Sequence, residues 1–160
     1  MVDRDDKYIV PIERHRDVIS EAFRQRGYSE DEASAWERIC REASVHGIRT
    51  HNGIKALHLD QSFGSQKGGC VPGAMVKEID SRFPAVRVWD AQKACGPKVA
   101  FDAMDLAIEL ADHFGVGYVV VDHAFHYLWG GGYVMDAAKR GYIAYTGCTA
   151  MLSEVVPFKG

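Results

Sequence analysis

Apolar residues recur every three or four positions in three stretches of the chain, and this spacing predicts three helices. The first covers residues 11–27 and the second covers residues 29–47, where Ser29 and Glu32 stand at capping-box spacing. The third covers residues 96–115 and ends at a glycine. Shorter helices are predicted around residues 54–59 and 132–140.

Strands are predicted between and after these helices. "AMVKEIDS" and "PAVRVWDA" alternate polar and apolar residues, which indicates two strands. "VGYVVVD" and "YIAYTGC" are apolar runs without alternation, which predicts strands that are buried on both faces. From residue 94 on, the order is helix, strand, helix, strand, so the predicted fold class is α/β. We divide the chain into a helical N-terminal region, residues 1–60, and the first part of a mixed α/β core, residues 61–160.

Composition and charge narrow the class of protein. Apolar residues make up 47%, charged residues make up 26% and the net charge is −3, so neither nucleic acid nor an anionic membrane surface is an expected partner. No apolar run reaches the roughly 20 residues that a membrane helix needs. The four cysteines never form a CxxC pair, which favours free, mostly buried thiols in a reducing compartment. We therefore expect a soluble cytoplasmic protein.

The chain closes on the apolar run "VVPF", followed by "KG". An open α/β core that stops beside such a run would expose its strands. This favours a C-terminal completion of the core, supplied by a missing segment or by a second chain; the alternative is a small domain with an untidy terminus.

The stretch "VVVDHAFHYLWGGGYV" carries the first candidate chemistry. Asp122, His123 and His126 follow a predicted strand, and functional residues concentrate where parallel strands end. Two imidazoles and a carboxylate suit a metal, but no further ligand stands at a recognisable spacing, so we predict no metal site. A histidine here can transfer protons near neutral pH, or it can simply be packed at a strand end.

Two glycine-containing stretches are less specific. "WGGGY" lacks both the Lys-Ser/Thr of a P-loop and the GxGxxG spacing, so it indicates only that the backbone needs room or a positive φ there. In "HGIRTHNGIK", Thr50 and His51 can orient a carbonyl group, and Lys55 can pair with a carboxylate. Taken alone, this second stretch is also typical of a solvated turn.

Several motifs, in order along the chain, together resemble the malate/L-lactate dehydrogenase type 2 family, which includes ureidoglycolate and diketogulonate dehydrogenases. The family's "GxxSHGxxR" turn, "DGxxGxG" and "AMxxAIxxA" motifs correspond to "GIRTHNGIK", "DAQKACG" and "AMDLAIELA" here. Its "NSxHxG", "GxIGI" and "APxGG" segments correspond to "HAFHYL", "GYIAY" and "VPFKG". The resemblance implies a helical region packed on a mixed α/β core that binds NAD or NADP without a Rossmann motif. It also implies a small 2-oxo acid or cyclic imine acid as substrate and a homodimer as the assembly.

Residue roles are carried over from the same resemblance. His126 would exchange a proton with the substrate oxygen, and His51 would be a second active-site imidazole. Thr50 stands where the family has serine, and Lys55 stands where it has the arginine that binds the substrate carboxylate. The remaining positions implied are Asn52 and His123 beside the substrate, and Thr149 or Ala150 beside the cofactor.

The sequence departs from the family pattern at several of these positions. Asn52 replaces a glycine, His123 and Ala124 replace Asn-Ser, and Leu128 replaces a glycine.

These departures, with the closing glycine, keep two alternatives open. One is the α chain of a self-cleaved amidohydrolase without a cofactor, whose nucleophile would be an N-terminal Thr, Ser or Cys on the chain after Gly160. The other is an inactive subunit that stabilises a partner, which the presence of both His51 and His126 disfavours.

Overall fold

The structure, a computed structural model, describes residues 9–149. They form a mixed α/β fold, as predicted, with five α-helices and one three-stranded sheet. The helices are α1 (Ile12–Arg24), α2 (Glu30–Val45), α3 (Gly53–Phe63), α4 (Gly96–Phe114) and α5 (Gly130–Lys139). The strands are β1 (Lys77–Ile79), β2 (Val86–Asp90) and β3 (Tyr118–Asp122), and short 3-10 turns, Arg49–His51 and Ser65–Lys67, flank α3.

The first two helices form a packed pair, which confirms the prediction from their spacing. The Glu32 N–H donates to Ser29 Oγ (3.3 Å) and the Ser29 N–H donates to the Glu32 carboxylate (2.8 Å), so the capping box is formed. Phe23 of α1 stacks on Trp36 of α2 with ring centroids 4.6 Å apart, and both side chains are fully buried. A stacked pair of this kind stabilises a core by about 0.5–1.5 kcal/mol beyond its buried area.

Helix α3 extends beyond the predicted residues 54–59 because a buried carboxylate holds its last turn. Asp60 is fully buried and accepts hydrogen bonds from the Tyr28 hydroxyl (2.6 Å) and the Ser65 N–H (2.8 Å). Tyr28 lies in the connection between α1 and α2, and Ser65 lies in the glycine-rich stretch after α3. These partners are distant in sequence, so the local spacing underestimated the helix.

The sheet places two strand ends side by side. β1 pairs antiparallel with β2, and β2 pairs parallel with β3. α4 makes the crossover between β2 and β3, and Gly115 ends it at φ +78°. The parallel register sets Asp90 opposite Asp122. The carboxyl ends of both strands therefore meet at one edge, where α/β folds commonly place functional side chains.

The prediction that β3 is buried on both faces is wrong for the described residues. Val121 packs in a small apolar cluster with Val99 of α4, whereas Tyr118 and Val120 are 56% and 42% exposed. Along the strand, exposed and half-buried residues alternate. The reason is that α4 covers one face of the strand and no described element covers the other.

The prediction of a buried strand at "YIAYTGC" is also wrong. Residues 142–149 form no helix or strand, and Ile143 and Tyr145 are almost completely exposed. A strand requires a neighbour for its backbone hydrogen bonds. No strand within residues 9–149 pairs with this segment.

The main core draws on both predicted regions of the chain: Trp36 and Ile39 pack in one cluster with Leu128 and Tyr133. The two regions thus share one core, and the division of the chain into residues 1–60 and 61–160 stays a prediction. Cys40, Cys70 and Cys95 are buried free thiols, and Cys148 is an exposed one. No helix within residues 9–149 has the length and apolar character needed to cross a membrane.

Candidate active site

An open cleft of about 510 Å³ lies at the junction of the first 3-10 turn and α3. Asn52 caps α3 there, because its Oδ1 accepts hydrogen bonds from the Ile54 and Lys55 N–H groups (3.1 and 3.3 Å). This cap turns the chain so that the 3-10 turn and the first turns of α3 face one space. The lining, which we call the His51 cleft, consists of Arg49, Thr50, His51, Asn52, Ile54, Lys55 and His58.

Thr50 and His51 act as one unit within the cleft. Thr50 Oγ1 and His51 Nδ1 are 2.8 Å apart, so the hydroxyl and the ring share a hydrogen bond. A hydroxyl that engages Nδ1 fixes the orientation of the ring, and because it can donate or accept it allows either tautomer. The predicted pairing of these two residues as an orienting group is therefore geometrically possible.

His126 lies close to His51, although the two come from distant parts of the sequence. The ring centroids are 6.4 Å apart and the ring planes are inclined by 32°. The Nδ1 atom of His126 accepts a hydrogen bond of 2.9 Å from the Leu128 N–H. Two imidazoles at this separation can contact one small substrate at the same time.

The loop that carries His126 passes directly over the first residue of α4. A Cβ atom at Gly96 would overlap the carbonyl oxygens of Phe125 and His126, which are backbone atoms and cannot move aside as a side chain would. The Phe125 N–H also donates to the Ala94 oxygen (3.2 Å). Glycine at position 96 is therefore required for His126 to occupy its place.

His123 does not join this pair. Its Nδ1 atom lies 3.1 Å from Asp90 Oδ1, and its Nε2 atom lies 3.8 Å from Asp122 Oδ2. Its side chain is 64% exposed. The Gln92 backbone N–H, together with His123, holds the pKa of Asp90 below its usual range. The cluster recognised in the sequence thus separates into a surface contact of His123 with carboxylates at the strand ends and a histidine in the candidate site.

Comparison with known proteins assigns the chain to a family. The sequence model of malate/L-lactate dehydrogenase matches residues 10–160, nearly the whole chain. The chain belongs to the malate/L-lactate dehydrogenase family. The resemblance stated from the sequence motifs is confirmed.

Individual relatives agree with this assignment. The chain is 33% identical, over 134 residues, to the 2,3-diketo-L-gulonate reductase of Salmonella heidelberg (strain SL476), which covers 84% of this chain and 40% of the relative. The malate dehydrogenase of Pyrococcus horikoshii OT3 superposes with a TM-score of 0.77 at 27% identity, covering 86% of this chain and 39% of that one. The sulfolactate dehydrogenase of Methanocaldococcus jannaschii gives 0.75 at 25% identity, covering 83% and 38%.

The chain therefore spans about 40% of the length of the family members it matches. The fold of the described residues is that of malate/L-lactate dehydrogenases. These relatives are named as reductases and dehydrogenases, which gives no support to the amidohydrolase alternative.

In this member of the family, residues 142–149 run past the loop that carries His126. A Cβ atom at Gly130 would lie 2.9 Å from Thr146 Cγ2 and 3.2 Å from the Tyr127 hydroxyl oxygen. Burial raises the pKa of Tyr127, and Thr146 and Cys148 are among the groups that act on its hydroxyl. Thr149, one of the two predicted cofactor positions, is exposed at the end of this segment, whereas Ala150 lies outside the described residues.

The three glycines of "WGGGY" are explained by packing. Gly130 leaves room for Thr146, Gly131 leaves room for the Trp129 ring, and Gly132 leaves room for Ile39 of α2. α5 begins at Gly130, two residues before the predicted start. The stretch therefore gives room to neighbouring groups, in agreement with the interpretation made from its sequence.

Three residues of the cleft, Arg49, Ile54 and His58, were not predicted from the sequence. Arg49 precedes the Thr50–His51 pair in the 3-10 turn, and His58 follows Lys55 by three residues in α3. Residues three apart share a helix face, which is a signal that could have identified His58. Within residues 9–149, His, Cys, Asp and Glu side chains form no group of three or more that could hold a metal ion.

Proposed function

We propose that this chain forms part of an oxidoreductase that uses NADH or NADPH to reduce a small 2-oxo acid or a cyclic imine acid. The observation that carries the proposal is the pair of imidazoles, His51 and His126, whose ring centroids are 6.4 Å apart; His51 also lines a cleft rich in positive charge. The relatives reported above are named for small acids: diketogulonate, malate and sulfolactate. The amino-acid composition of the cleft fits such a substrate.

The charge of the His51 cleft favours an anionic substrate. Arg49 and Lys55 line it, and the described lining residues include no carboxylate. A one-sided charge of this kind in a cleft raises the local concentration of anions. We assign Lys55 to the substrate carboxylate, with Arg49 as a second cation that acts at longer range.

The two histidines act on the carbonyl or imine group of the substrate. Thr50 holds His51 through the 2.8 Å contact, and His51 orients the substrate oxygen or nitrogen. His126 supplies the proton that this atom takes up on reduction. Positioned acid–base groups of this kind accelerate reactions by about 10²- to 10⁴-fold. Asn52 contributes mainly by capping α3, and His123 lies outside the pair.

The described residues fit the ring end of a nicotinamide cofactor. Ile143 and Tyr145 are both exposed on the segment that runs beside Tyr127, and a flat aromatic ring can bury one face against apolar side chains of this kind. Thr149 ends this segment and Ala150 is the next residue in the sequence, and we assign both to the cofactor. When bound, the reduced nicotinamide supplies the hydride.

The chain spans about 40% of the length of its relatives, and we propose that the remaining part of the family's length supplies the rest of the site. We propose that a C-terminal half, on this or a second chain, covers the exposed face of β3, and that the assembly is a homodimer.

The test is a panel of 2-oxo acids and one cyclic imine acid, offered to the whole protein with NADH and with NADPH. Oxidation of the nicotinamide that depends on at least one acid is expected. The matched control is the amide of that acid, which lacks the carboxylate for Lys55 and should react much more slowly. Nicotinamide oxidation by none of the acids would contradict the proposal.

A further inference from the structure

We propose that the main-chain N–H of Leu128 is a positioning group that fixes which nitrogen of His126 carries the proton. The N–H lies 2.9 Å from His126 Nδ1. A backbone N–H can only donate, so Nδ1 must present its lone pair. In the neutral ring, the proton is then held on Nε2.

The turn that makes this contact has an unusual backbone. Leu128 has φ +64°, in the left-handed region that residues with side chains seldom occupy. This turn brings the Leu128 N–H back to the ring of the residue two positions earlier. Such a conformation persists only where the surroundings enforce it, and it is found most often at functional sites.

The turn is held by a buried side chain, by a hydrogen bond and by a close backbone approach that only glycine permits. The Leu128 side chain is 4% exposed and belongs to the main apolar core. The Tyr133 hydroxyl donates to the Tyr127 carbonyl oxygen (2.6 Å), which lies between His126 and Leu128 in the chain. On the other side, Gly96 leaves the space that the His126 carbonyl occupies. The tautomer of His126 is therefore set by core packing as well as by the site itself.

The chemical consequence rests on the proposed function. During reduction of the substrate, His126 would donate its Nε2 proton to the substrate oxygen, which would become a hydroxyl. The ring then regains a proton from water at the same nitrogen. The opposite tautomer would present a lone pair to the substrate oxygen and repel it.

The direct test measures the tautomer in the whole protein, without cofactor or substrate. Histidine labelled with nitrogen-15 is incorporated, and a His126→Gln variant identifies the His126 signals by their loss. The expected spectrum shows an unprotonated Nδ1 and a protonated Nε2. A protonated Nδ1 in the neutral ring would overturn the proposal.

Variants at Leu128 separate positioning from packing. Leu128→Ala removes the buried anchor but keeps the strained backbone, so a second tautomer should appear and kcat should fall about tenfold with KM changed less than about twofold. Leu128→Met keeps an apolar anchor and should retain the wild-type spectrum. Leu110→Ala removes a similarly buried leucine from α4 and should lower stability with no change in the spectrum.

The outcomes distinguish this proposal from the proposed function. A protonated Nε2 in a protein that reduces none of the acids supports the positioning role and contradicts the oxidoreductase. An active reductase whose neutral His126 ring carries the proton on Nδ1 supports the oxidoreductase and contradicts the positioning role of Leu128. If Leu128→Ala does not fold, the spectra of the wild type and of Leu128→Met decide.

Discussion

His123 and His126 stand three positions apart, yet the structure gives them opposite environments. His123 is exposed and lies between Asp90 and Asp122 at the strand ends. His126 accepts a main-chain hydrogen bond and lies beside His51. The separation arises because His123 itself adopts φ +52°, which turns the chain away from the direction of β3.

The comparison shows that closeness in sequence does not make one site of two chemically similar residues. The Asp90 and Asp122 carboxylates lie beside the exposed His123 ring at the strand ends. The Leu128 N–H donates to His126 Nδ1, so in the neutral ring Nε2 is the defined donor. Four experiments can break or sharpen this contrast, and they follow in order of expected effect.

The largest effect is expected from removing the imidazole of His126, with removal of the His123 imidazole as the control. His126→Ala should lower kcat/KM for the acid about 10²- to 10⁴-fold, because the proton donor is lost. His123→Ala should change it less than about twofold, as is usual for an exposed side chain away from the chemistry. Steady-state kinetics of both variants make the test, and equal losses would contradict the separation of roles.

The next effect concerns the charge of the His51 cleft. Lys55→Met should raise KM about 10- to 100-fold, because a charge-assisted hydrogen bond to the carboxylate contributes about 1.5–3 kcal/mol. Lys67→Met, in the second 3-10 turn outside the cleft lining, is the control and should leave KM unchanged. An unchanged KM in Lys55→Met would remove this residue from the substrate site.

A smaller effect is expected where Thr50 holds His51. Thr50→Val keeps the shape but removes the hydroxyl, so kcat should fall about tenfold, as for the loss of one hydrogen bond. Thr50→Ser, which restores the residue that the resembling family carries, should retain most of the activity. If both variants lose activity equally, the role of Thr50 is in packing.

The smallest effect concerns the Asp90 carboxylate beside His123 and the stability of the protein in acid. The pKa of Asp90 is lowered in the folded protein, first by the Gln92 N–H and then by His123. Its contribution to stability is therefore complete above the ordinary value of 3.8 and is lost as the pH falls below it. Asp90→Asn should make the decline of Tm below this pH slightly shallower, with no change in kcat. A steeper decline of Tm in Asp90→Asn would contradict the assignment.

The sequence predicted those helix ends that are specified by residues next to them. The Ser29–Glu32 capping box and the glycine at 115 sit next to the helix ends they specify, and both helices were predicted correctly. The faces of β3 and the state of residues 142–149 depend on which elements cover them. The sequence window around each could not show those neighbours.

The candidate site divides in the same way. The Thr50–His51 pair was visible because its members are adjacent, and His126 was connected to it only through the family resemblance. The tight passage over Gly96 and the turn at Leu128 involve backbone atoms from separate elements. Only the folded chain shows why these two residues matter to His126.

The most direct test of the central claim is a double-mutant cycle on His51 and His126, measured as kcat/KM for the preferred acid. If the two imidazoles act on one substrate as a unit, the double variant His51→Ala/His126→Ala should be little worse than His126→Ala alone. If the losses multiply, the two histidines act independently, and the account of a shared site is contradicted.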